Sequence, residues 1–142
     1  MIEIRKPAWD ILLNHLRAAY PKEGCGLLLG VETNGARVAH VAVPSANAYE
    51  GERKDRFLLD PKTQLAAERQ AREEGLDVFG IFHSHPDCDA YFSATDLANT
   101  WSYYSNLVVS IRGREYAGAA VFRVDDERTR ATPEEFCIEG VR

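Results

Sequence analysis

Two histidines at the end of an apolar run are the first residues in this chain whose types and spacing indicate chemistry. Residues 78–82 form an apolar run that predicts a buried strand, and the chain continues as His83-Ser84-His85-Pro86. Residues two apart on a strand point to the same face, so His83 and His85 project together. Pro86 favours an extended backbone at His85, which preserves that shared direction. Two imidazoles side by side at a strand end form half of a zinc site.

A carboxylate that could complete the site follows thirteen residues after the first histidine, at Asp96. The segment Ser93-Ala94-Thr95-Asp96 also resembles a capping box, so Ser93 and Asp96 could simply begin a helix, with the histidines in a loop. The combination of two histidines at this spacing with Asp96 favours the zinc site. Zinc-dependent hydrolysis also needs a base outside the ligand set. Spacing alone does not select that base from 22 acidic residues.

Composition limits the class of protein. A chain of 142 residues is long enough to bury a core and predicts one domain over residues 1–142. Its net charge of −5 argues against nonspecific binding to nucleic acid or anionic membranes. Neither a transmembrane stretch nor a signal-peptide core is evident. The cysteines are Cys25, Cys88 and Cys137, an odd set without a C-x-x-C pair, which favours a reducing, cytoplasmic location.

The apolar pattern predicts helices interleaved with hairpins, which indicates an α/β domain with a mixed sheet covered on both faces. Strands are expected at residues 2–4, 25–30, 37–43, 57–59, 78–82, 107–111, 117–124 and 135–139, with a hairpin turn at Asn34-Gly35. Helices are expected at residues 8–20, at 61–74 between an Asp60 cap and Gly75, and at 93–104. The last of these helices should bury Leu97, Ala98, Trp101 and Tyr104. Residues 44–56 are polar and irregular and predict a mobile loop.

Taken together, these motifs resemble the signature of the JAMM (MPN-domain) metalloproteases. The residues that carry the resemblance are Glu23-Gly-Cys-Gly-Leu-Leu-Leu-Gly, then His83-x-His85-Pro86, then Ser93-x-x-Asp96. Asn47 and Phe57-Leu58-Leu59-Asp60-Pro61 match short prokaryotic members as well. Phe92 departs from the pattern, because many members have proline before the serine. The resemblance implies a cytidine-deaminase-like α/β/α sandwich with a mixed, curved sheet.

The resemblance also implies roles for individual residues. One zinc ion per chain would be held by His83, His85 and Asp96, with Glu23 as general acid/base for a zinc-activated water. Ser93 would hydrogen-bond the oxyanion. Cys88, in the loop between the ligands, could be redox-sensitive or contact zinc, although an exposed bystander is the favoured interpretation.

Compact relatives of this kind hydrolyse the peptide or isopeptide bond after the Gly-Gly tail of ubiquitin-like sulfur-carrier proteins, and the resemblance implies such a substrate here. A minimal domain should hold that tail mainly by backbone hydrogen bonds at a sheet edge. Tyr91 and Phe92 would crowd the metal, and Arg53, Lys54 and Arg56 could close over the tail or meet an acidic carrier. The carrier, the leaving residue and the oligomeric state are not specified by the sequence.

Three alternative functions compete with this interpretation. A zinc deaminase needs H-x-E followed by P-C-x-x-C, and neither pattern occurs here. A noncatalytic MPN scaffold for protein interactions would typically lack the ligand set that this chain retains. A general deubiquitinase-like peptidase would need insertions that grip ubiquitin, for which a chain of this length has little room.

Overall fold

Eight strands form one mixed sheet in a computed structural model that describes residues 1–53 and 56–140. The strands are β1 (Ile2–Ile4), β2 (Cys25–Thr33), β3 (Ala36–Ser45), β4 (Asp77–Pro86), β5 (Ser105–Arg112), β6 (Glu115–Val124), β7 (Ala131–Pro133) and β8 (Phe136–Ile138). The helices are α1 (Lys6–Ala19), α2 (Pro61–Glu74) and α3 (Ala94–Ala98). The strand order is β7-β6-β5-β4-β2-β3-β1-β8, so the histidine-bearing strand β4 lies in the middle of the sheet.

The predicted hairpin forms between β2 and β3. Asn34 and Gly35 have φ angles of 52° and 81°, and this left-handed pair gives the turn a twist that matches the flanking strands. On its other side β2 pairs antiparallel with β4, and β4 pairs in parallel with β5. Strand β4 is therefore paired on both edges as far as His83 and on the β5 side through Pro86, which holds its backbone in place.

Helices cover both faces of the sheet, as the fold class predicted. Helix α1 packs its Trp9, Leu12 and Leu16 against one face, in a core that includes Phe79 and Phe82. Helix α2 buries Ala67 and Ala71 against the other face, beside Leu27 and Leu29. Burying a side chain the size of leucine contributes about 1.5–3 kcal/mol, so these two layers fix the strands that carry the histidines. None of the described helices has the length and apolar character needed to cross a membrane.

The expected ends of α2 are confirmed. The Asp60 carboxylate accepts a hydrogen bond from the Lys62 N–H at the helix start, and Pro61 occupies the first turn. Gly75 ends the helix in the left-handed conformation with φ 68°.

Two predicted elements were wrong. The helix predicted at residues 93–104 ends at Ala98. Of its predicted buried face, Trp101 is 62% exposed, Ala98 is also exposed, and Leu97 and Tyr104 are half-buried. Hydrogen bonds from Thr100 and Asn106 give this segment its own turn structure, because Thr100 Oγ1 donates to Asn106 Oδ1 and Asn106 Nδ2 donates to the Tyr104 carbonyl.

Residues 57–59, predicted as a strand, form only a single bridge between Leu59 and Asn47. The Asn47 side chain satisfies the backbone of this segment instead, since its Oδ1 accepts from the Leu58 N–H. Strand β7, which pairs with the end of β6, was not predicted.

Candidate metal centre

Three side chains from β4 and α3 converge at the end of the central strands. The Nε2 atoms of His83 and His85 are 3.3 Å apart, and they lie 3.2 Å and 3.3 Å from Asp96 Oδ2. In a tetrahedral zinc site with ligand distances of about 2.0–2.1 Å, neighbouring ligand atoms are separated by about 3.3 Å. The donor set and its spacing therefore fit zinc.

The protonation states suit metal binding. Burial lowers the pKa of His83 although Asp96 opposes the shift, so its imidazole is neutral at pH 7. Burial raises the pKa of Asp96, but hydrogen bonds from the His83 ring and the Ser93 N–H outweigh it, and the pKa lies well below its usual value. A neutral imidazole and an ionised carboxylate are the forms that coordinate zinc.

A backbone carbonyl orients the second histidine. His85 Nδ1 is 3.1 Å from the Asp89 carbonyl oxygen, which can only accept. Nδ1 therefore carries the ring hydrogen, and Nε2 presents its lone pair toward His83 and Asp96.

The capping box expected at α3 is present. Ser93 Oγ accepts from the Asp96 N–H at 3.0 Å, and Asp96 Oδ2 accepts from the Ser93 N–H at 3.0 Å. The oxygen that accepts from Ser93 is also the one that faces the histidines. The helix cap and the placement of the third candidate ligand are thus one arrangement, and the two interpretations of Ser93-x-x-Asp96 are compatible.

Glu23 lies beside the candidate ligands through the pairing of β2 with β4. Cys25 is opposite His83 in this antiparallel ladder. The next pair is Gly24 and Ser84, in which the Ser84 N–H donates to the Gly24 carbonyl at 3.1 Å and the Gly24 N–H donates to Ser84 Oγ at 2.8 Å. Side chains opposite each other share a face of the sheet, and so do residues two apart along a strand. Glu23 therefore lies on the same face as the histidines, and it is only 3% exposed.

The segment after β3 holds the backbone of Glu23. The Glu23 N–H donates to the Arg53 carbonyl at 2.6 Å, and its carbonyl accepts from Asn47 Nδ2 at 3.0 Å. Asn47, a residue of the sequence motif, lies at the centre of this loop.

The two arginines predicted for substrate binding make contacts within that same loop. Arg53 Nε donates to the Tyr49 carbonyl at 2.8 Å, and Arg56 Nη1 donates to the Tyr49 hydroxyl at 3.2 Å. Arg56 is exposed, whereas Arg53 is partly buried. Lys54, predicted to act with them, lies outside the described residues.

A pocket of about 130 Å³ opens beside His83. This volume is smaller than the roughly 300–1,000 Å³ of typical drug-sized sites, so it suits a small group or a short segment. It lies between residues 57–59 with the start of α2 on one side and residues 92–100 on the other. The lining residues are Phe57, Leu58, Leu59, Gln64, Ile81, His83, Phe92, Asp96, Asn99, Thr100 and Asn106.

Aromatic rings surround the histidines. Phe57 stacks on His83 with ring centroids 4.6 Å apart and an interplanar angle of 22°. The ring centroid of Phe92 lies 6.4 Å from that of His83, and the rings of Tyr91 and His85 pack edge to face with centroids 4.8 Å apart. Phe57 was not predicted as a site residue, because the sequence shows only an apolar residue in a segment interpreted as a strand.

Neither cysteine near the site is placed as a ligand. Cys88 is exposed, and its side chain is not part of the cluster formed by the three candidate ligands. Cys25 is fully buried, and burial raises the pKa of its thiol to about 12. Cys25 is therefore a small core residue.

The sequence is similar to those of known peptidases. Residues 5–124 match the family described as prokaryotic homologs of the JAB domain. The chain is 32% identical over 118 residues to a desampylase of Haloferax volcanii, covering 80% of this chain and 83% of the relative. It is 33% identical over 98 residues to the CysO-cysteine peptidase of Mycobacterium tuberculosis, covering 68% of this chain and 64% of the relative. A probable TtuB-protein conjugate cleaving protease of Thermus thermophilus is 34% identical over 83 residues, covering 58% and 52%.

Solved structures share the fold. A protein of Desulfitobacterium hafniense superposes with a TM-score of 0.84 at 30% identity, covering 98% of this chain and 93% of that protein. A JAB1/MPN domain protein of Archaeoglobus fulgidus has a TM-score of 0.57 at 16% identity, covering 97% and 96%. The sandwich inferred from the sequence is therefore a JAB1/MPN fold.

Proposed function

Since this chain belongs to the prokaryotic homologs of the JAB domain and is a JAMM-type hydrolase, we propose that it is a zinc-dependent peptidase that cuts directly after the Gly-Gly tail of a ubiquitin-like protein. The observation that carries the proposal is the triangle formed by His83, His85 and Asp96, with sides of 3.2–3.3 Å. Residues 1–142 would act as one JAMM/MPN domain.

His83, His85 and Asp96 would hold the zinc. When bound there, zinc supplies a Lewis acid that polarises a carbonyl and lowers the pKa of water from about 15.7 to roughly 7–9. Glu23, buried on the same face of the sheet, would accept a proton from the attacking water and pass it to the leaving amine.

Ser93 would donate its hydroxyl hydrogen to the carbonyl oxygen of the substrate as negative charge develops there. Its Oγ accepts the Asp96 N–H, so the hydroxyl hydrogen remains able to donate to a substrate. A hydrogen bond of this kind typically contributes about 3–4 kcal/mol to catalysis.

Replacing Ser93 separates this role from capping. Ser93→Ala should lose about 1 kcal/mol of stability and about 10²–10³-fold in turnover. Ser93→Asp should recover the melting temperature, because aspartate caps helices well, but not the turnover, because an ionised carboxylate cannot donate. Thermal unfolding and peptidase assays on both variants measure the two effects. Recovery of turnover together with melting temperature would restrict Ser93 to a structural role.

The small size and aromatic lining of the pocket support a glycine-rich substrate. Phe57 and Phe92 both lie near the His83 ring and line a small pocket beside it. Glycine has no Cβ, so a diglycine can bring its backbone close to the site in conformations that other residues avoid. The names of the relatives from Mycobacterium tuberculosis and Thermus thermophilus, a CysO-cysteine peptidase and a probable TtuB-protein conjugate cleaving protease, agree with a protein tail as substrate.

The substrate is tested with ubiquitin-like carriers extended beyond Gly-Gly, either by a short peptide or through a lysine side chain. Mass spectrometry should show cleavage after the second glycine by the zinc-loaded enzyme only, with zinc-stripped enzyme and Glu23→Gln as controls. Changing the diglycine to dialanine should slow cleavage sharply, because each added methyl group must fit beside the rings. Equal rates on dialanine tails or on unstructured peptides would indicate a general peptidase.

A further inference from the structure

The loop at residues 87–92 is fastened to three neighbouring elements. The Asp87 carboxylate accepts from the Tyr20 hydroxyl after α1 at 2.7 Å and from the Gly113 N–H in the β5–β6 turn at 3.0 Å. Ser110 on β5 donates its hydroxyl hydrogen to the Cys88 carbonyl. Arg112 donates to the Asp87 carbonyl at 3.3 Å and also binds the Asp89 carboxylate.

Ser110 is the buried member of these anchors. It is 3% exposed, and it lies directly beside His85 in the parallel ladder of β4 and β5. Its side chain therefore shares the face of the sheet on which the histidine rings lie, underneath the loop. A buried hydroxyl needs a hydrogen-bond partner. The partner of the Ser110 hydroxyl is the carbonyl of Cys88, the residue that precedes Asp89 in the chain.

Asp87 holds the other end of the same loop in an unusual backbone conformation. Its φ of 58° lies in the left-handed region, which aspartate and asparagine tolerate better than most residues. The two hydrogen bonds to its carboxylate tie this turn to α1 and to the β5–β6 turn. Held in this way, the loop places the carbonyl of Asp89, two residues after Asp87, next to His85 Nδ1.

We propose that Ser110 and Asp87 are positioning residues of the metal centre, which fix the loop so that the Asp89 carbonyl holds His85 with Nε2 free to bind zinc. The proposal rests on the proposed function in that zinc is the ion to be bound. Groups that orient metal-ligating histidines typically affect metal affinity by about 10–100-fold. Because Ser110 and Asp87 act through the loop, the effect of removing either one should lie at the lower end of this range.

Two measurements test the proposal on Ser110→Ala and Asp87→Ala. Competition with a chromophoric chelator should show zinc bound about 10-fold more weakly than by the wild type. In zinc-free protein, ¹⁵N NMR of the His85 ring should show the wild type with its hydrogen on Nδ1 and the variants with a mixture of tautomers. Asp87→Asn should restore both properties, because asparagine accepts the Gly113 N–H and tolerates a positive φ.

Ser105→Ala is the matched control, since Ser105 is also a buried serine of β5, at the opposite end of the strand. It should lose stability without changing zinc affinity or the His85 ring. The proposal is overturned if Ser110→Ala and Asp87→Ala match this control in both measurements, or if zinc affinity falls while the His85 tautomer is unchanged. If the wild type itself bound no zinc, the proposed function would fail, and the tautomer measurement on zinc-free protein would still decide the role of the loop.

Discussion

Glu23→Gln should bind zinc as the wild type does and lose about 10²–10⁴-fold in turnover. Glutamine has nearly the shape of glutamate, but its amide cannot take a proton from water at neutral pH. The fold should be kept, because the backbone of residue 23 is held by Arg53 and Asn47 whichever side chain it carries. Metal analysis and single-turnover kinetics on the same preparation measure the two properties.

Glu32→Gln provides the control for this substitution, since Glu32 lies toward the far end of the same strand, β2, and is exposed. It should leave both zinc content and turnover unchanged. Turnover of Glu23→Gln close to that of the wild type would remove Glu23 from the mechanism. Loss of zinc from Glu23→Gln would instead make Glu23 a metal ligand.

His83→Ala and Asp96→Ala should each abolish stoichiometric zinc binding. Each removes one of three protein ligands, and Asp96 also supplies the only carboxylate of the cluster found in the described residues. Metal analysis of the purified variants after dialysis is the measurement. His40→Ala, which changes an exposed histidine on β3, should keep its zinc. Full zinc occupancy in both His83→Ala and Asp96→Ala would mean that the metal lies elsewhere.

The elements that position the site were predictable because their signals are local. The apolar run into His83 is long enough to identify a buried strand, and the hairpin turn and the caps of α2 depend on residues close in sequence. The strand periodicity also placed both histidines on one face. The contact of these histidines with Asp96 is a tertiary contact. The residue types and the motif suggested it, but only the folded chain brings the side chains together.

Helix α3 shows where sequence patterns fail. Leu97, Ala98, Trp101 and Tyr104 have the spacing of a helical face, yet Trp101 lies on the surface with Arg128 over its ring at 4.5 Å. The long-range hydrogen bond from Arg123 to the Ser102 carbonyl stabilises this segment in a non-helical path. Spacing carries no information about such contacts.

The surroundings of the ligands were also beyond the sequence. Phe57 reaches His83 only through the loop that Asn47 organises, and the group that orients His85 is a backbone carbonyl, which has no residue-type signature. Strand β4 is paired on both sides by β2 and β5 as far as His83, and only the assembled sheet reveals this.

The central claim is that His83, His85 and Asp96 bind one zinc ion, and crystallography of the purified protein at the zinc absorption edge tests it most directly. The account predicts one strong anomalous peak per chain, about 2.0–2.2 Å from His83 Nε2, His85 Nε2 and an Asp96 carboxylate oxygen. Glu23 should lie near this peak without coordinating it. A zinc peak at other residues, or none at this cluster in protein shown to contain zinc, would contradict the account.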